Sequence, residues 1–469
     1  MTWHPVYREV VLEPDYRFAS AHLLPHLFDA LTAHAQSHAK SGLPGATEAV
    51  TLLRELRRES WPPYDPAIED VFFSLDRRLA SRSPEAAGAL RTALSRNDLD
   101  MAIYRLTARE ELLRAMESVE KLRGVLLNLA EAEVDTVIVA YTHHQPAQPT
   151  TLAHYLTALE NVLSRDSDRL ADALKRLNLS PLGAVALAGS SHPLDRDFTA
   201  QALGFDRPVE NTYDAVSTSD WQCELAGALS TCAVTLSRAL YDLLFWASRG
   251  LVTVADGLVQ GSSVMPQKRN PVALEHARTK FSKLLGYAQA VLLSSHNVPF
   301  GDINDPGPDV QEPMRALWED FRQGLALFTV SLEGLRVHRE RFLAEATTGD
   351  TMITELADTL ARTSACTFRD AHHAAQQLLA NLRTQGRSLC SATPTDLHRL
   401  GIDVPADVLT AALDVHAFVN RRRTFGGPAS DVMRAHLQMA RARLSHDSTR
   451  RQAWLDRFER ARRALKGAA

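Results

Sequence analysis

Only four cysteines occur in 469 residues. Cys223, Cys232, Cys366 and Cys390 share no CxxC spacing and fall in apolar helical stretches, where a buried thiol is commoner than a disulfide or a metal ligand. Glycine and proline number 22 each, too few for a loop-rich, collagen-like or disordered chain. No run of about 18 uncharged apolar residues occurs, and the opening segment, MTWHPVYREVVLEPDY, has early acids and no apolar stretch of the export type. No membrane partner is expected, and the cytoplasm is the expected compartment. An excess of one charge is missing too: 52 Lys plus Arg against 56 Asp plus Glu leave −4, so no net positive field draws the chain to nucleic acid. Any anion must be held by a few local donors.

What remains is ordinary globular composition, 45% hydrophobic and 23% charged, in a chain too long for one hydrophobic core. Helical periodicity dominates and strand alternation is almost absent. From Ser219 to Ser248, Trp221, Leu225, Leu229, Cys232, Leu236, Leu240 and Leu243 recur at three- or four-residue steps. Similar patterns over 108–138, 150–177, 272–296 and 314–345 predict five long helices, and a helix of 30 residues spans about 45 Å. Before them, amphipathic segments are broken by Pro44, Pro62, Pro63, Pro66 and Pro84; after 362 the segments shorten again. The expected fold is all-α, in three regions: 1–107, a central long-helix bundle at 108–361, and 362–469.

Three polar segments interrupt this pattern. Gly261–Pro271 (GSSVMPQKRNP) is a small, polar run that stops at a helix start, with Asn270 as cap and Pro271 at the first helical position. It reads as a mobile loop closing over an anionic substrate, or as a surface turn. Tyr141–Pro149 (YTHHQPAQP) lies between two long helices. Its paired histidines suggest metal first, but no cysteine or acid stands at a matching ligand spacing, so a histidine acting as acid or base is preferred. Ser95–Asp98 (SRND), taken alone, is a helix cap with a solvated charge.

Taken together, these segments resemble the fumarase/aspartase superfamily, and within it the argininosuccinate lyases. GSSVMPQKRNP is similar to the signature GSSxMPxKxNP, YTHHQPAQP to YTHxQxAQP, and SRND matches as it stands. PLGAVALAGSSHPLDRD (181–197), LGF (203–205), NTYDAVS (211–217), ITELADTLA (353–361), TFRDAH (367–372) and VNRRRTFGGPA (419–429) follow in argininosuccinate lyase order. Adenylosuccinate lyases and muconate cycloisomerases usually lack this downstream set. The resemblance implies a homotetramer with a twenty-helix core, five helices per subunit, and active sites that take SRND, the THxQ segment and the GSS loop from three different subunits. It implies elimination of fumarate from an N-substituted aspartate, with no cofactor or metal. By the same resemblance, Ser262 is the general base and Lys268, Asn270 and Ser263 face the substrate carboxylates. Thr142 and Gln145 bind substrate, His143 serves the acid side, and Glu275 orients that histidine. Ser95, Arg96 and Asn97 hold the succinyl group. His144 stands where the family often has an apolar residue and is read as structural.

The pattern breaks on the amine side. Where argininosuccinate lyases have LPLAYNKDxQEDKEP, whose tyrosine, glutamine and second lysine contact the arginine half, this chain has Pro299–Pro313 (PFGDINDPGPDVQEP). The lysine position becomes Gln311, the tyrosine position falls at Asp302 or Ile303, and the glutamine has no counterpart. HTGRSRNDQ is RTALSRNDL here, the GS before the N-terminal AH is Phe18-Ala19 before Ser20-Ala21-His22, and VSDRDF has become VSTSDW (216–221). The expectation is a carbon–nitrogen lyase with altered amine-half specificity. Ordinary argininosuccinate cleavage is the alternative, and a non-catalytic descendant of the fold is the reading from another class.

Overall fold

The computed structural model describes residues 3–364 and 366–467. Among these residues helices dominate, and the only sheets are four two-stranded ladders. The first region holds α1 (Glu13–His22), α2 (Leu24–Lys40), α3 (Ala46–Leu56), α4 (Val71–Arg82) and α5 (Pro84–Arg91). Punctuation by cap and proline sets their limits: Asp70 accepts from the Phe73 amide at the start of α4, and Ser83 with Pro84 opens α5.

Five long helices follow: α6 (Arg96–Ala132), α7 (Leu152–Leu177), α8 (Asp220–Ser248), α9 (Val272–Ser295) and α10 (Gln311–Glu333). Two depart from the periodicity reading. Helix α6 begins at residue 96 rather than 108, because Ser95 and Asp98 form a capping box that nucleates it. Helix α10 ends at Glu333, where Gly334 lies so close to Ala255 that a Cβ on the glycine would stand 2.8 Å from that side chain. The chain then pairs Arg336–Val337 with Val252–Thr253 and continues as α11 (Arg339–Thr348).

Cross-contacts give the bundle two distinct ends. The Arg105 guanidinium lies 5.2 Å over the Trp221 ring, aligning the beginnings of α6 and α8. Tyr155 donates to Asp242 and packs on Trp246, bringing the beginning of α7 to the end of α8. At 1.5 Å per residue, the 37 residues of α6 separate the two ends by about 55 Å.

A second apolar core joins Val137 and Val139 to residues between Ala346 and Val419, including those of α12 (Ile353–Thr363), α13 (Phe368–Thr384) and α14 (Val415–Arg421). Glu355, 1% exposed, is its polar centre and accepts from Arg362, Arg421 and Arg422. The shortening of segments expected after 362 holds only to residue 429. Ser430–Lys466 is a 37-residue helix, α15, that returns to the main core through Met433, Leu437 and Phe458. The third region is therefore not one packing unit: its first part shares a core with residues before 362, and its last helix belongs to the bundle.

Candidate active site

The GSSVMPQKRNP segment forms a hairpin, with Gln260–Gly261 paired to Arg269–Asn270, Ser262 half-buried and residues 263–268 exposed. Asn270 is thus held in a ladder opposite Gln260, one residue too early to cap; Pro271 occupies the cap position and α9 starts at Val272. The Ser262 hydroxyl oxygen accepts from the amides of Val264 (3.3 Å) and Met265 (3.0 Å). Two amide dipoles aimed at one oxygen favour its anionic form. Lys268 and Ser263 are exposed on the same loop, and the Lys268 amide donates to the Met265 carbonyl. Behind the hairpin, Arg269, Pro271 and Glu275 line a recess of about 360 Å³ against the end of α8.

The THHQ segment is a β-hairpin, a form the helical reading missed: β1 (Val137–Thr142) and β2 (Gln145–Thr151) pair antiparallel, Thr142 opposite Gln145. His143 and His144 form the two-residue turn, both at positive φ (52° and 60°). A tight hairpin turn needs that conformation, and histidine adopts it less readily than Asn or Gly. The hairpin is fixed to the end of α8: Tyr141 stacks edge-on against Phe245 and donates to Glu345, and His144 packs edge-on against Tyr241. Thr142, His143 and Gln145 are exposed, and among the described residues no hydrogen bond or ion pair joins His143 to Glu275.

The SRND segment lies at the opposite end. Asp98 is buried rather than solvated. Its carboxylate accepts from the amides of Ser95 (3.1 Å), Gly183 (2.7 Å) and Val185 (2.9 Å), tying the start of α6 to the 181–187 loop. Burial outweighs those bonds and pushes its carboxyl up to about 6. Ser95 caps the helix, and Asn97 donates to the Ala186 carbonyl. Arg96 donates through Nη1 alone, to Glu69 (2.9 Å) and Asp70. Its Nε and Nη2 have no hydrogen-bond partner among the described residues, so one edge of the guanidinium is anchored while the other can meet a carboxylate.

Residues 300–311 lie at this same end. Phe300 stacks on Tyr213 with centroids 5.9 Å apart, and Gln222 donates to the Pro306 carbonyl (3.1 Å). Asp302 joins an acidic surround of Arg96 that also includes Glu69, Asp70 and Asp100. Burial, reinforced by Asp70 and Asp302, pushes the Asp100 carboxyl up to about 8. Neither Glu69, Asp70 nor Asp100 stood out in the sequence; the only signal was Asp100 one helical turn beyond Arg96.

Within one chain, then, Ser95, Arg96 and Asn97 gather at one end of the bundle. Thr142, His143, Gln145, Ser262, Ser263, Lys268, Asn270 and Glu275 gather at the other.

Comparison with known proteins finds a family model described as "Lyase" over residues 69–286 and one described as "Argininosuccinate lyase C-terminal" over 350–420. The chain is 36% identical over 421 residues to an argininosuccinate lyase of Halorhodospira halophila, covering 88% of this chain and 90% of that one. Among solved structures, EDDS lyase in complex with formate superposes with a TM-score of 0.88 at 26% identity, covering 100% of this chain and 95% of that one. A class II fumarase from Schistosoma mansoni shares the fold, with a TM-score of 0.71 at 16% identity over 84% of this chain and 90% of that one.

Proposed function

Because the chain belongs to the fumarase/aspartase superfamily, close to argininosuccinate lyase, we propose that its fumarate-releasing carbon–nitrogen lyase chemistry acts on an N-substituted L-aspartate, with Ser262 as base and an altered site for the amine half. The observation that carries this reading is the Ser262 oxygen, which receives two backbone amides on an exposed loop beside Lys268. Amides and a nearby ammonium lower the cost of an alkoxide when the loop closes and water leaves.

The alkoxide takes the proton from the carbon next to the distal carboxylate. Lys268, Asn270, Ser263 and Thr142 hold the carboxylates as charge builds, and the free edge of Arg96, with Ser95 and Asn97, holds the succinyl group. Collapse of the carbanion forms the fumarate double bond and breaks the carbon–nitrogen bond. The departing nitrogen takes a proton relayed from the His143 side, with Gln145 and Glu275 positioning the groups around it. Since one chain holds these residues about 55 Å apart, each site is proposed to form where subunits of a homotetramer meet, three subunits contributing. The four cysteines are free thiols, which fits a reducing, cytoplasmic setting.

The second reading, ordinary argininosuccinate cleavage, is favoured by the 36% identity. Against it stand the missing amine-side contacts; each buried polar partner lost costs about 1–3 kcal/mol, so three together remove several orders of magnitude in turnover. Ultraviolet absorbance of fumarate decides. A panel of N-substituted aspartates should include one cleaved faster than argininosuccinate, and Ser262→Ala should abolish its cleavage while leaving the assembly intact. Argininosuccinate as the best substrate of the panel removes the altered-specificity reading, and retained activity in the Ser262 variant removes the serine base.

A further inference from the structure

The hairpin that carries Thr142 and His143 is poorly held by its own ladder. Tyr141 pairs with Pro146 and Ala140 with Gln148, so Ala147 is left over as a bulge directly behind the turn. Pro146 and Pro149 have no N–H to give to the facing strand, and both turn residues sit at positive φ. A two-stranded ribbon is marginal by itself in water, and this one lacks part of its bonding where the site residues stand. Its tip has to be fixed from outside.

Two of the fixing contacts lie at the surface: Gln148 donates to Thr354 (3.2 Å), and His144 packs edge-on against Tyr241 with centroids 5.9 Å apart. A third is of another kind. Tyr141 donates to Glu345 Oε1 at 2.5 Å, the length of a charge-assisted bond from a hydroxyl to a carboxylate. The same oxygen accepts from Arg249 Nη2 at the end of α8, and the Arg249 guanidinium lies 5.4 Å over the Phe245 ring on which Tyr141 stacks. The Glu345 side chain is 12% exposed, and its Oε2 is buried with no hydrogen-bond partner among the described residues. Leaving such an oxygen unpaired is costly, so packing alone is a poor reason for a carboxylate here. Glu345 lies on α11, which bridges the two apolar cores: Phe342 belongs to the main core and Ala346 to the second. From Arg249 the chain runs through Val252–Thr253, paired with Arg336–Val337 just before α11, and on to the Ser262 loop. Glu345 belongs to none of the segments that carry the family resemblance.

We propose that Glu345 is a positioning residue of the reaction. Through Tyr141 it fixes the turn so that His143 meets the departing nitrogen, and through Arg249 it holds that turn against the end of α8, which leads to the Ser262 loop. The part given to His143 rests on the lyase reading; the fixing of the hairpin does not. Proton delivery to the nitrogen matters in the transition state, whereas Lys268, Asn270 and Arg96, which hold carboxylates in the proposed site, lie outside the hairpin. Loosening the turn therefore lowers kcat more than it raises KM, and a displacement of about 1 Å costs about a hundred-fold.

The test compares Glu345→Gln, which keeps an acceptor but removes the charge, with Tyr141→Phe, which keeps the ring but removes the hydroxyl, and with the double variant; Thr354→Val serves as control for a surface contact of the same hairpin. Fumarate release is followed with the N-substituted aspartate that the wild type cleaves best. Each single variant should lower kcat about ten- to hundred-fold with KM changed less than about three-fold, and Thr354→Val should leave kcat within about two-fold. The double variant should be no slower than the slower single one, because both changes break one bond. A merely structural bond would lower the melting temperature and leave kcat untouched. Hydrogen exchange, which needs no turnover, should quicken about ten-fold in a peptide over 137–151 in both single variants. Unchanged kcat in both, additive losses in the double, or a fall in kcat that Thr354→Val reproduces overturns the proposal. If the wild type releases no fumarate from any N-substituted aspartate, the lyase reading fails and exchange alone decides: unchanged rates at 137–151 refute the fixing of the hairpin by Glu345, and faster rates leave it standing.

Discussion

Replacing Arg123 by methionine removes the cation of a buried knot that joins three helices. Arg123 is 0% exposed; Nε donates to Glu160 (3.0 Å) on α7, and Nη1 donates to Ser167 (3.0 Å) and to Asp447 (2.7 Å) on α15. Nη2 lies 2.9 Å from the same Glu160 oxygen, though not aligned for a hydrogen bond. In the variant Asp447 keeps Arg450 at 3.0 Å, but Glu160, also 0% exposed, keeps only Arg443 at 3.5 Å. Leaving one charge of a buried pair uncompensated costs about 3–5 kcal/mol, a large part of the 5–15 kcal/mol typical of a folded domain. The assay is the urea midpoint by circular dichroism, read alongside protease sensitivity of α15. Arg123→Met should lower the midpoint strongly and free the last helix. Adding Glu160→Leu and Asp447→Leu should recover most of the loss, because an apolar replacement of a buried ion pair is close to neutral. A loss under about 1 kcal/mol in the single variant, or no recovery in the triple, refutes the view that this knot fastens α15.

Glu355→Gln should cost about 2–3 kcal/mol by weakening its bonds to Arg362, Arg421 and Arg422, measured by thermal melting. Burial alone would raise the Glu355 carboxyl, but the arginine bonds outweigh it and hold it below its ordinary 4.5. The wild type's advantage over the Gln variant is therefore full above about pH 4.5 and shrinks as the pH falls through the lower folded value; an advantage that grows on acidification refutes the assignment. Gly183→Ala should lower stability by about 1–3 kcal/mol and fumarate release with it, because φ is +90° and the new Cβ would stand 2.8 Å from Arg196 Cγ; unchanged melting would show that the 181–187 loop relaxes freely. Mixing subunits carrying Arg96→Ala with subunits carrying Ser262→Ala, each inactive alone, should restore part of the fumarate-releasing activity, and no recovery refutes sites shared between chains.

The five bundle helices were legible because their buried positions are apolar and regularly spaced. Leu225, Leu229, Cys232, Leu236 and Leu240 on α8 are all at 0% exposure. Helix α15 was not legible because only seven of its 37 residues are buried, two of them Asp447 and Arg451. It packs largely through arginines, among them Arg451 on Glu120, Arg457 on Asp206 and Arg462 on Asp29, a pattern that reads as a solvated charged helix when no partners are in view. The THHQ hairpin escaped for another reason: its turn is His-His, whereas Asn-Gly or Asp-Gly is the usual signal. The ITELADTLA and VNRRRTFGGPA motifs were legible as family marks but not as physics, until Glu355 and the arginines at 421 and 422 proved to be one ion cluster. At the site, residue types and spacing picked out the GSSVMPQKRNP run as a candidate loop, and the family resemblance pointed to Ser262 and Lys268 within it. They did not show that Asp98 is buried scaffolding, nor that acids on three separate elements surround Arg96, since that surround exists only after folding.

Coverage of the bundle and completion of the site follow from the same geometry. Only 12 of 29 residues of α8 and seven of 24 of α9 are buried, and Val234, Tyr241, Leu292 and Leu293 are bare. Helix α8 is long and apolar enough to cross a membrane by length and composition, yet it packs on α7, α9 and α10 and carries Glu224, Arg238 and Asp242 along its length. A membrane would cover the apolar stripe at the cost of burying those charges. In the proposed homotetramer, helices of further copies would cover the stripe instead. Copies laid antiparallel in that assembly would also bring the SRND end of one bundle to the Ser262 end of another, across the gap of about 55 Å within a single chain. In the proposed assembly, the apolar surface that drives association is therefore the surface whose burial brings Arg96, His143 and Ser262 within reach of one substrate, and association and activity should fail together.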